Sequence, residues 1–165
     1  MPALVWVPAY VGIGSNLDDP ERQVQAALQA LSELPETRRV THSANLRNPA
    51  LGPQPQPEFV NAVAGLLTRL APVDLLDALL AIEHRQGRDR RSDVRWGPRR
   101  IDLDLLVYGE VVLDTDRLVI PHPGIASRNF VLFPLLEIAP GLRVPGLGPV
   151  RRLVAAFNQQ EQQAK

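Results

Sequence analysis

The sequence predicts an α+β fold of the ferredoxin-like kind, in which helices cover an antiparallel sheet and long loops connect the elements. Apolar runs of strand length alternate with leucines at helical spacing, and two loops lack any regular pattern. The resulting order is β-α-β-loop-β-α-loop-β-β-α, with the helices expected to cover one face of the sheet. The length predicts a single domain spanning 1–165.

The first half of the chain begins with a short apolar strand that ends at Gly14. The Asp-Asp-Pro triplet at 18–20 is typical of a helix start, and apolar spacing continues this helix to Pro35. A second strand is predicted within 37–47. Four prolines and a glycine exclude regular structure from residues 48–57, which we call the proline-rich loop.

The middle of the chain repeats this alternation of strand and helix. A strand is predicted over 59–70, and Pro72 begins a helix that ends at Gly87. Residues 88–98, which we call the Arg-rich loop, separate this helix from a strand over 101–108.

The last third is predicted to begin with a hairpin, in which 111–113 returns along the preceding strand after a Gly-Glu turn. A rigid Pro-His-Pro connector leads to a helix over 127–138, and a shorter helix follows over 150–162. The polar end of the chain, 158–165, is predicted to be a frayed tail.

Composition excludes several classes of protein. The net charge is zero, which disfavours a nucleic-acid partner, and the absence of cysteine excludes disulfides and thiolate metal sites. The N-terminus lacks the pattern of a signal peptide, and no apolar run reaches the length of a membrane span. We therefore expect a cytoplasmic protein without a membrane partner.

Arginine supplies almost all of the positive charge. Lys165 is the only lysine, so a Walker-type phosphate loop is excluded, and any phosphate contact must use Arg. Seven of the seventeen arginines lie between Arg85 and Arg100. Codon bias accounts for much of the total, but it does not account for this clustering.

A pair of acidic residues on one predicted strand indicates a metal site. Side chains alternate along a strand, so Asp102 and Asp104 share a face while Leu103 points to the other. Two carboxylates on one face repel each other unless a cation lies between them, and Mg²⁺ prefers carboxylate oxygens. The alternative is a solvated strand face with two incidental acids, although the adjacent Arg99 and Arg100 favour a metal–phosphate site.

The Arg-rich loop carries Arg88, Arg90, Arg91 and Arg95, and it has glycines near both ends. Such a segment could close over a polyphosphate and exclude water. Most charged runs are instead solvated surface loops. Trp96 favours the functional interpretation, because a large aromatic side chain on a charged loop needs something to pack on.

Two weaker motifs remain. His122 lies between two prolines, six residues before Arg128, and a histidine in that setting is more often structural than catalytic. The Gly-Ile-Gly-Ser-Asn stretch at 12–16 lacks the third glycine of a dinucleotide fingerprint, so it indicates a tight turn between strand and helix.

Taken together, these segments resemble the 6-hydroxymethyl-7,8-dihydropterin pyrophosphokinase family from about Tyr10 to Gly146. The most specific marker is Arg95-Trp-Gly-Pro-Arg-Arg-Ile-Asp-Leu-Asp104. The other markers occur in the expected order: Ile13-Gly-Ser-Asn-Leu17, Asn48-Pro-Ala-Leu-Gly-Pro53, Phe59-Val-Asn-Ala62, Ile82-Glu83, Gly87-Arg88, Ile120-Pro-His122 and Arg128-Asn-Phe130.

The resemblance implies a reaction in which the pterin hydroxyl attacks the β-phosphorus of ATP, AMP leaves, and a pyrophosphate ester forms for folate synthesis. It implies that Asp102 and Asp104 hold two Mg²⁺ ions, and that the protein is a monomer. The implied catalytic residues are Arg88, Arg90 and Arg99. The implied ATP-binding residues are Glu83, Arg88, Trp96, Arg99, His122 and Arg128. The implied pterin-binding residues are Asn48, Pro49, Leu51, Phe59, Asn61, Trp96 and Phe130, with Phe59 and Phe130 on the two faces of the ring.

The chain departs from the family pattern at four places. Phe59 replaces a common Tyr, Asn48 a common Thr, and Leu80 a Gln that can touch adenine, so Leu80 receives no nucleotide role. A slightly longer Arg-rich loop leaves Arg90 and Arg91 as alternatives for one position.

Two other functions are compatible with parts of the pattern. A magnesium-dependent phosphohydrolase or nuclease also uses paired Asp and Arg, but it usually needs more carboxylates and a base for water. A non-catalytic nucleotide sensor would keep the two aromatic residues, but it would not need two acids and four arginines around one point.

Overall fold

The computed structural model describes residues 5–53, 55–88 and 97–164. Its main sheet has five strands: Val7–Ser15 (β1), Thr37–His42 (β2), Leu46–Asn48 (β3), Phe59–Thr68 (β4) and Asp102–Tyr108 (β5). The order is β2-β4-β1-β5, and β3 pairs with β4 beyond the end of β2. Every pairing in this sheet is antiparallel, which confirms the predicted α+β class.

The described residues form four helices: Pro20–Ser32 (α1), Pro72–Arg85 (α2), Asn129–Ile138 (α3) and Val150–Gln163 (α4), the last of which packs mainly against α3. Both α1 and α2 begin with a proline, whose fixed φ suits the first helical turn. Two short ribbons complete the described secondary structure, apart from a 3₁₀ turn at Ile125–Ser127. They pair Leu113–Asp114 (β6) with Val119–Ile120 (β7), and Arg143–Val144 (β8) with Gly148–Pro149 (β9).

The helices cover both faces of the sheet, so the expectation that they cover one face was wrong. One core cluster joins α1 and α2 to side chains such as Val11 and Leu103. The other joins α3 and α4 to side chains such as Val63 and Leu106 on the opposite face. The sequence of β4 indicated coverage of both faces, because it lacks the apolar–polar alternation of a strand with one solvent-exposed face, and its residues are nearly all buried.

Three predicted elements differ from those observed. The strand predicted within 37–47 is interrupted between β2 and β3, where the Ser43 hydroxyl accepts the Val63 N–H at 2.9 Å. The return strand at 111–113 does not pair with β5, because β6 pairs with β7 instead. The predicted frayed tail is helical through Gln163, with its exposed residues extending α4.

Three adjacent strands, β4, β1 and β5, bring residues together at one end of the sheet, on the face that carries α3. Gly14 of β1 pairs with Asn61 of β4 on one side and with Asp102 of β5 on the other. Gly12 pairs with Asp104 in the next row on the same face. Because paired residues project from the same face, these strands bring an amide and two carboxylates together around glycines.

Candidate active site

Glycines on the central strand create the space for a pocket. A Cβ on Gly14 would stand 2.7 Å from Nδ2 of Asn61 and 3.7 Å from Cδ1 of Phe59. Gly12 has no side chain beside Asp104, so the floor between β4 and β5 stays open. The Gly-Ile-Gly-Ser stretch is therefore the end of β1 rather than the predicted turn, and its glycines line the pocket.

The pocket has a volume of about 150 Å³. Nine residues predicted from the sequence line it. Five belong to the expected pterin set: Asn48, Leu51, Phe59, Asn61 and Phe130. Four belong to the expected phosphate and metal set: Arg99, Asp102, Asp104 and Arg128. The two sets thus share one pocket, although they come from distant parts of the chain.

Two buried amide oxygens give the pocket a chemical preference. Oδ1 of Asn48 and Oδ1 of Asn61 are buried and have no hydrogen-bond partner among the described residues. The Nδ2 atoms of the same side chains donate to the carbonyls of Pro49, at 3.3 Å, and of Ile13, at 3.5 Å. An unpaired buried acceptor is costly, so a turn of either side chain that brings its oxygen to a ligand N–H would be favourable.

Two phenylalanines bring apolar surface to the same pocket. Phe59 begins β4, and Phe130 lies in the first turn of α3. Each is half-buried. The guanidinium carbon of Arg128 lies 5.8 Å from the centre of the Phe130 ring. Aromatic faces beside amide acceptors suit a flat heterocycle with a hydrogen-bonding edge.

The acidic pair occupies the other half of the pocket. Asp102 and Asp104 are partly exposed, while Ile101, Leu103 and Leu105 between and beside them are buried. The alternation predicted for this strand is therefore confirmed. No group of three or more metal-ligating side chains occurs among the described residues. With ligands from the described residues alone, the two carboxylates could thus hold Mg²⁺ only together with oxygens from a substrate or water.

A buried ion network lies behind Asp102. Nη1 of Arg88 donates to Oδ1 of Asp102 at 2.7 Å, to Oε2 of Glu83 at 3.2 Å, and to the carbonyl of Ile101 at 3.1 Å. Oε2 of Glu83 also accepts the Leu103 N–H at 2.7 Å. Both Glu83 and Arg88 are buried and neither lines the pocket, so they contact β5 without facing the pocket.

His122 lies beside the acidic pair in a defined tautomer. Its Nδ1 accepts the Gly124 N–H at 2.9 Å, which leaves the ring proton on Nε2, 3.9 Å from Oδ2 of Asp104. Burial and the positive charge of Arg128 lower the pKa of the His122 imidazole, and they outweigh the attraction of Asp102. The ring is therefore a neutral donor near neutral pH.

A second groove adjoins the pocket, and it was largely missed by sequence reasoning. It has a volume of about 430 Å³ and shares Asp104 with the pocket. Its apolar lining includes Leu76 and Leu80 of α2, and Leu118. Leu80, which received no role from the sequence, thus faces the groove that contains His122. The helical spacing of Leu76 and Leu80 was visible, but it could not distinguish a core face from a groove wall.

Some predicted residues do not line the pocket. Pro49 is exposed beside it, and Glu83 and Arg88 lie beneath it. Arg90 and Trp96 lie outside the described residues, as do Arg91 and Arg95 of the same loop. The lining also includes residues that were not predicted: Gly12, Ile13, Gly14, Gly97 and Val131.

Residues 10–140 match the family of 7,8-dihydro-6-hydroxymethylpterin-pyrophosphokinase (HPPK). This chain belongs to the HPPK family. The match includes every residue that lines the pocket or the adjoining groove.

Two bacterial relatives named 2-amino-4-hydroxy-6-hydroxymethyldihydropteridine pyrophosphokinase support the assignment. The chain is 54% identical to the Pseudomonas aeruginosa protein over 147 residues, which cover 89% of this chain and 90% of that protein. It is 46% identical to the Haemophilus influenzae protein over 151 residues, which cover 92% and 93% respectively.

Solved structures support the fold. The chain is similar to a crystal structure of an HPPK-DHPS protein in complex with substrates, with a TM-score of 0.71 and 12% identity. It is also similar to the Plasmodium falciparum HPPK-DHPS with pteroate, with a TM-score of 0.67 and 14% identity. The matches cover 96% and 94% of this chain, but only 44% and 42% of those longer chains.

Proposed function

We propose that this HPPK family member transfers a pyrophosphoryl group from ATP to the hydroxymethyl group of 6-hydroxymethyl-7,8-dihydropterin in folate synthesis. The products are AMP and the pterin diphosphate. The observation that carries the proposal is a single pocket with two halves. Amide acceptors and phenylalanines form one half, and two aspartates with two arginines form the other.

The first half suits the pterin. The pyrimidine edge of a pterin presents an amino group and a ring N–H side by side. Asn48 and Asn61 line the pocket and carry buried amide oxygens that could turn to accept from such donors. Phe59 and Phe130 supply faces for the ring, and Leu51 adds apolar surface at the rim. Pro49 contributes through its carbonyl, which holds the Asn48 amide.

The second half and the adjoining groove suit ATP. The leucines of the groove would contact the base, and Arg117, which pairs with Asp77 of α2, lies at its rim. Nε2–H of the neutral His122 can donate to a phosphate oxygen. Arg99 and Arg128 line the pocket and carry the positive charge that a triphosphate requires.

Asp102 and Asp104 would hold the magnesium that the reaction requires, with two ions expected. Mg²⁺ is usually bound by one or two carboxylates together with substrate phosphates, and this chain offers two carboxylates beside its phosphate-binding arginines. The ions would neutralise charge on the phosphates when bound. Arg88 holds Asp102 in place through its 2.7 Å hydrogen bond.

The residues of the chain catalyse chiefly by positioning and by charge. The pterin hydroxyl attacks the β-phosphorus and loses its proton, the bond from that phosphorus to the α–β bridging oxygen breaks, and AMP leaves with the oxygen. The pocket aligns the two reactants because its halves share a floor on β1. Arg99 and Arg128 stabilise the charge that develops on the transferred group. We assign Arg88 to orienting Asp102, and we retain Arg90 and Trp96 as closing-loop residues that contact the substrates.

We also propose that the chain acts as one domain and as a monomer in the cytoplasm, on small-molecule substrates. Among the described residues, no helix combines the length and apolarity that crossing a bilayer requires.

The test is to incubate the protein with ATP, Mg²⁺ and the pterin, and to identify the released nucleotide by chromatography. AMP should form only when pterin is present, and Asp102→Ala and Asp104→Ala should abolish its formation. Asp74→Ala, which removes an exposed carboxylate from α2, is the matched control and should keep the activity. ADP or phosphate, or release that ignores pterin, would instead indicate the phosphohydrolase alternative.

A further inference from the structure

One buried side chain connects the two halves of the pocket without lining it. Asn16 follows β1 directly and is 1% exposed. Its Nδ2 donates to Oε1 of Gln56 at 2.9 Å and to the carbonyl of Pro57 at 3.0 Å. Its Oδ1 accepts the Arg99 N–H at 2.8 Å, and its own N–H donates to the Arg99 carbonyl at 3.0 Å.

The segments that Asn16 joins carry opposite halves of the pocket. Residues 55–58 lead directly into Phe59, which lies in the pterin half. Residues 97–100 include Arg99, which lies in the phosphate half. Neither segment belongs to a helix or a strand, so side-chain hydrogen bonds have a large share in fixing their positions.

The hydrogen-bonding capacity of Asn16 is filled only when both segments are in place. If residues 55–58 move away, the buried Nδ2 loses two acceptors, and if residues 97–100 move away, Oδ1 loses its donor. A buried polar group that loses its partner destabilises the whole local network. Ordering one segment therefore favours ordering of the other.

We propose that Asn16 is a positioning residue that couples pterin binding to nucleotide binding. The coupling rests on the proposed function, because it assigns the two halves to those ligands. A ligand that fixes Phe59 and residues 55–58 strengthens the hold of Asn16 on Arg99. By thermodynamic reciprocity, a nucleotide that fixes Arg99 tightens the pterin half by the same factor.

The first experiment measures this factor directly. The dissociation constant of the pterin is determined by calorimetry with and without Mg²⁺ and a non-hydrolysable ATP analogue. In the wild type, the nucleotide should tighten pterin binding about fivefold or more. In Asn16→Asp, which keeps the acceptor for Arg99 but replaces the donor to Gln56 and Pro57 with an oxygen, the factor should fall to about one.

A control variant separates coupling from general loss of stability. Thr37→Val removes the buried hydrogen bond between Thr37 and Thr68, at the end of β4 opposite Phe59. It should lower the melting temperature but leave the coupling factor unchanged. An unchanged factor in Asn16→Asp, or an equal loss of the factor in Thr37→Val, would overturn the proposal.

The second experiment does not depend on the substrates. Gln56→Ala removes a partner of Asn16 on the pterin side, and hydrogen exchange of the Arg99 amide is followed in the ligand-free protein. If Asn16 couples the segments, this exchange should rise about fivefold although Arg99 keeps its own bond to Asn16. Unchanged exchange would overturn the coupling. If the wild type binds neither ligand but the exchange rises, the proposed function fails, while the coupling of residues 55–58 to residues 97–100 through Asn16 remains.

Discussion

The guanidinium of Arg88 donates from Nη1 to Oδ1 of Asp102 at 2.7 Å, across the boundary between the core and the pocket. The Arg88 side chain is 4% exposed and that of Asp102 is 29% exposed. The same nitrogen contacts Glu83, whose side chain is 2% exposed. One arginine therefore balances a buried carboxylate and orients a second one that faces the pocket.

Replacing Arg88 should lower the free energy of unfolding, because the carboxylate of Glu83 is buried beside it. Oε2 of Glu83 accepts from Nη1 of Arg88 and from the Leu103 N–H. In Arg88→Met, the Glu83 carboxylate stays buried but loses the first of these two donors. We expect the free energy of unfolding, measured with urea, to fall by about 3 kcal/mol. Activity should fall as well, since Asp102 loses the bond that orients it.

A double variant tests whether the buried charge is the cause. Arg88→Met combined with Glu83→Gln removes the charge together with its partner. The double variant should be more stable than Arg88→Met by at least about 1 kcal/mol, because the two residues are in direct contact. Additive losses would contradict this explanation and would indicate that packing of the arginine stem is what matters.

Gly14 sets the position of Asn61, and an added methyl group tests this. In Gly14→Ala the new Cβ would stand 2.7 Å from Nδ2 of Asn61, so the amide must move. We expect the dissociation constant for the pterin to rise about tenfold, which corresponds to about 1.4 kcal/mol. The dissociation constant for the nucleotide should change much less, because Asn61 lies in the other half of the pocket.

Gly141→Ala is the matched control for that experiment. A Cβ at Gly141 meets nothing within 4 Å, and the residue is exposed. Its pterin affinity and its stability should equal those of the wild type. If Gly14→Ala binds the pterin as tightly as the wild type does, Asn61 does not hydrogen-bond to the ring.

Sequence reasoning predicted the parts of the site that lie on regular strands. The alternation of Asp102, Leu103 and Asp104 fixed which side chains share a face, because the side-chain period of a strand is two. The family resemblance supplied roles that spacing alone could not give to Asn48 or Phe59.

Relationships between strands were beyond this kind of reasoning. That Gly14 lies between Asn61 and Asp102 depends on strand order and register, which local patterns do not determine. The resemblance implied that Glu83 lies beside the nucleotide, and its side chain is buried against β5, where it accepts hydrogen bonds from Arg88 and from the Leu103 N–H. Its spacing along α2 was consistent with either position, and only the packing of α2 on β5 distinguishes them.

Acidification should destabilise the metal-free protein through His122. Because burial and Arg128 lower its pKa in the folded state, the unfolded chain binds a proton first as the pH falls through about 6.5. The free energy of unfolding should therefore decrease below that pH, and the loss should continue until the folded pKa is reached.

His122→Gln removes this titration and provides the comparison. Urea unfolding would be measured in EDTA at intervals from pH 8 to pH 5 for both proteins. The stability of the wild type relative to the variant should be constant above about pH 7.5 and should decline below about pH 6.5. Parallel curves over the whole range would show that the histidine keeps an ordinary pKa.

Magnesium should bind this protein weakly until a nucleotide is present. Asp102 and Asp104 are the carboxylates that line the described pocket, and Arg88 already holds an oxygen of Asp102. A Mg²⁺ ion bound by two carboxylates needs further oxygens, which phosphates supply. Using Mn²⁺ as a paramagnetic substitute, we expect a millimolar dissociation constant for the free protein and a value at least about tenfold lower with a non-hydrolysable ATP analogue.

Asp104→Asn should remove most of this gain in metal affinity, whereas Asp74→Asn, on the exposed surface of α2, should preserve it. Tight binding without nucleotide would require metal ligands beyond the two aspartates.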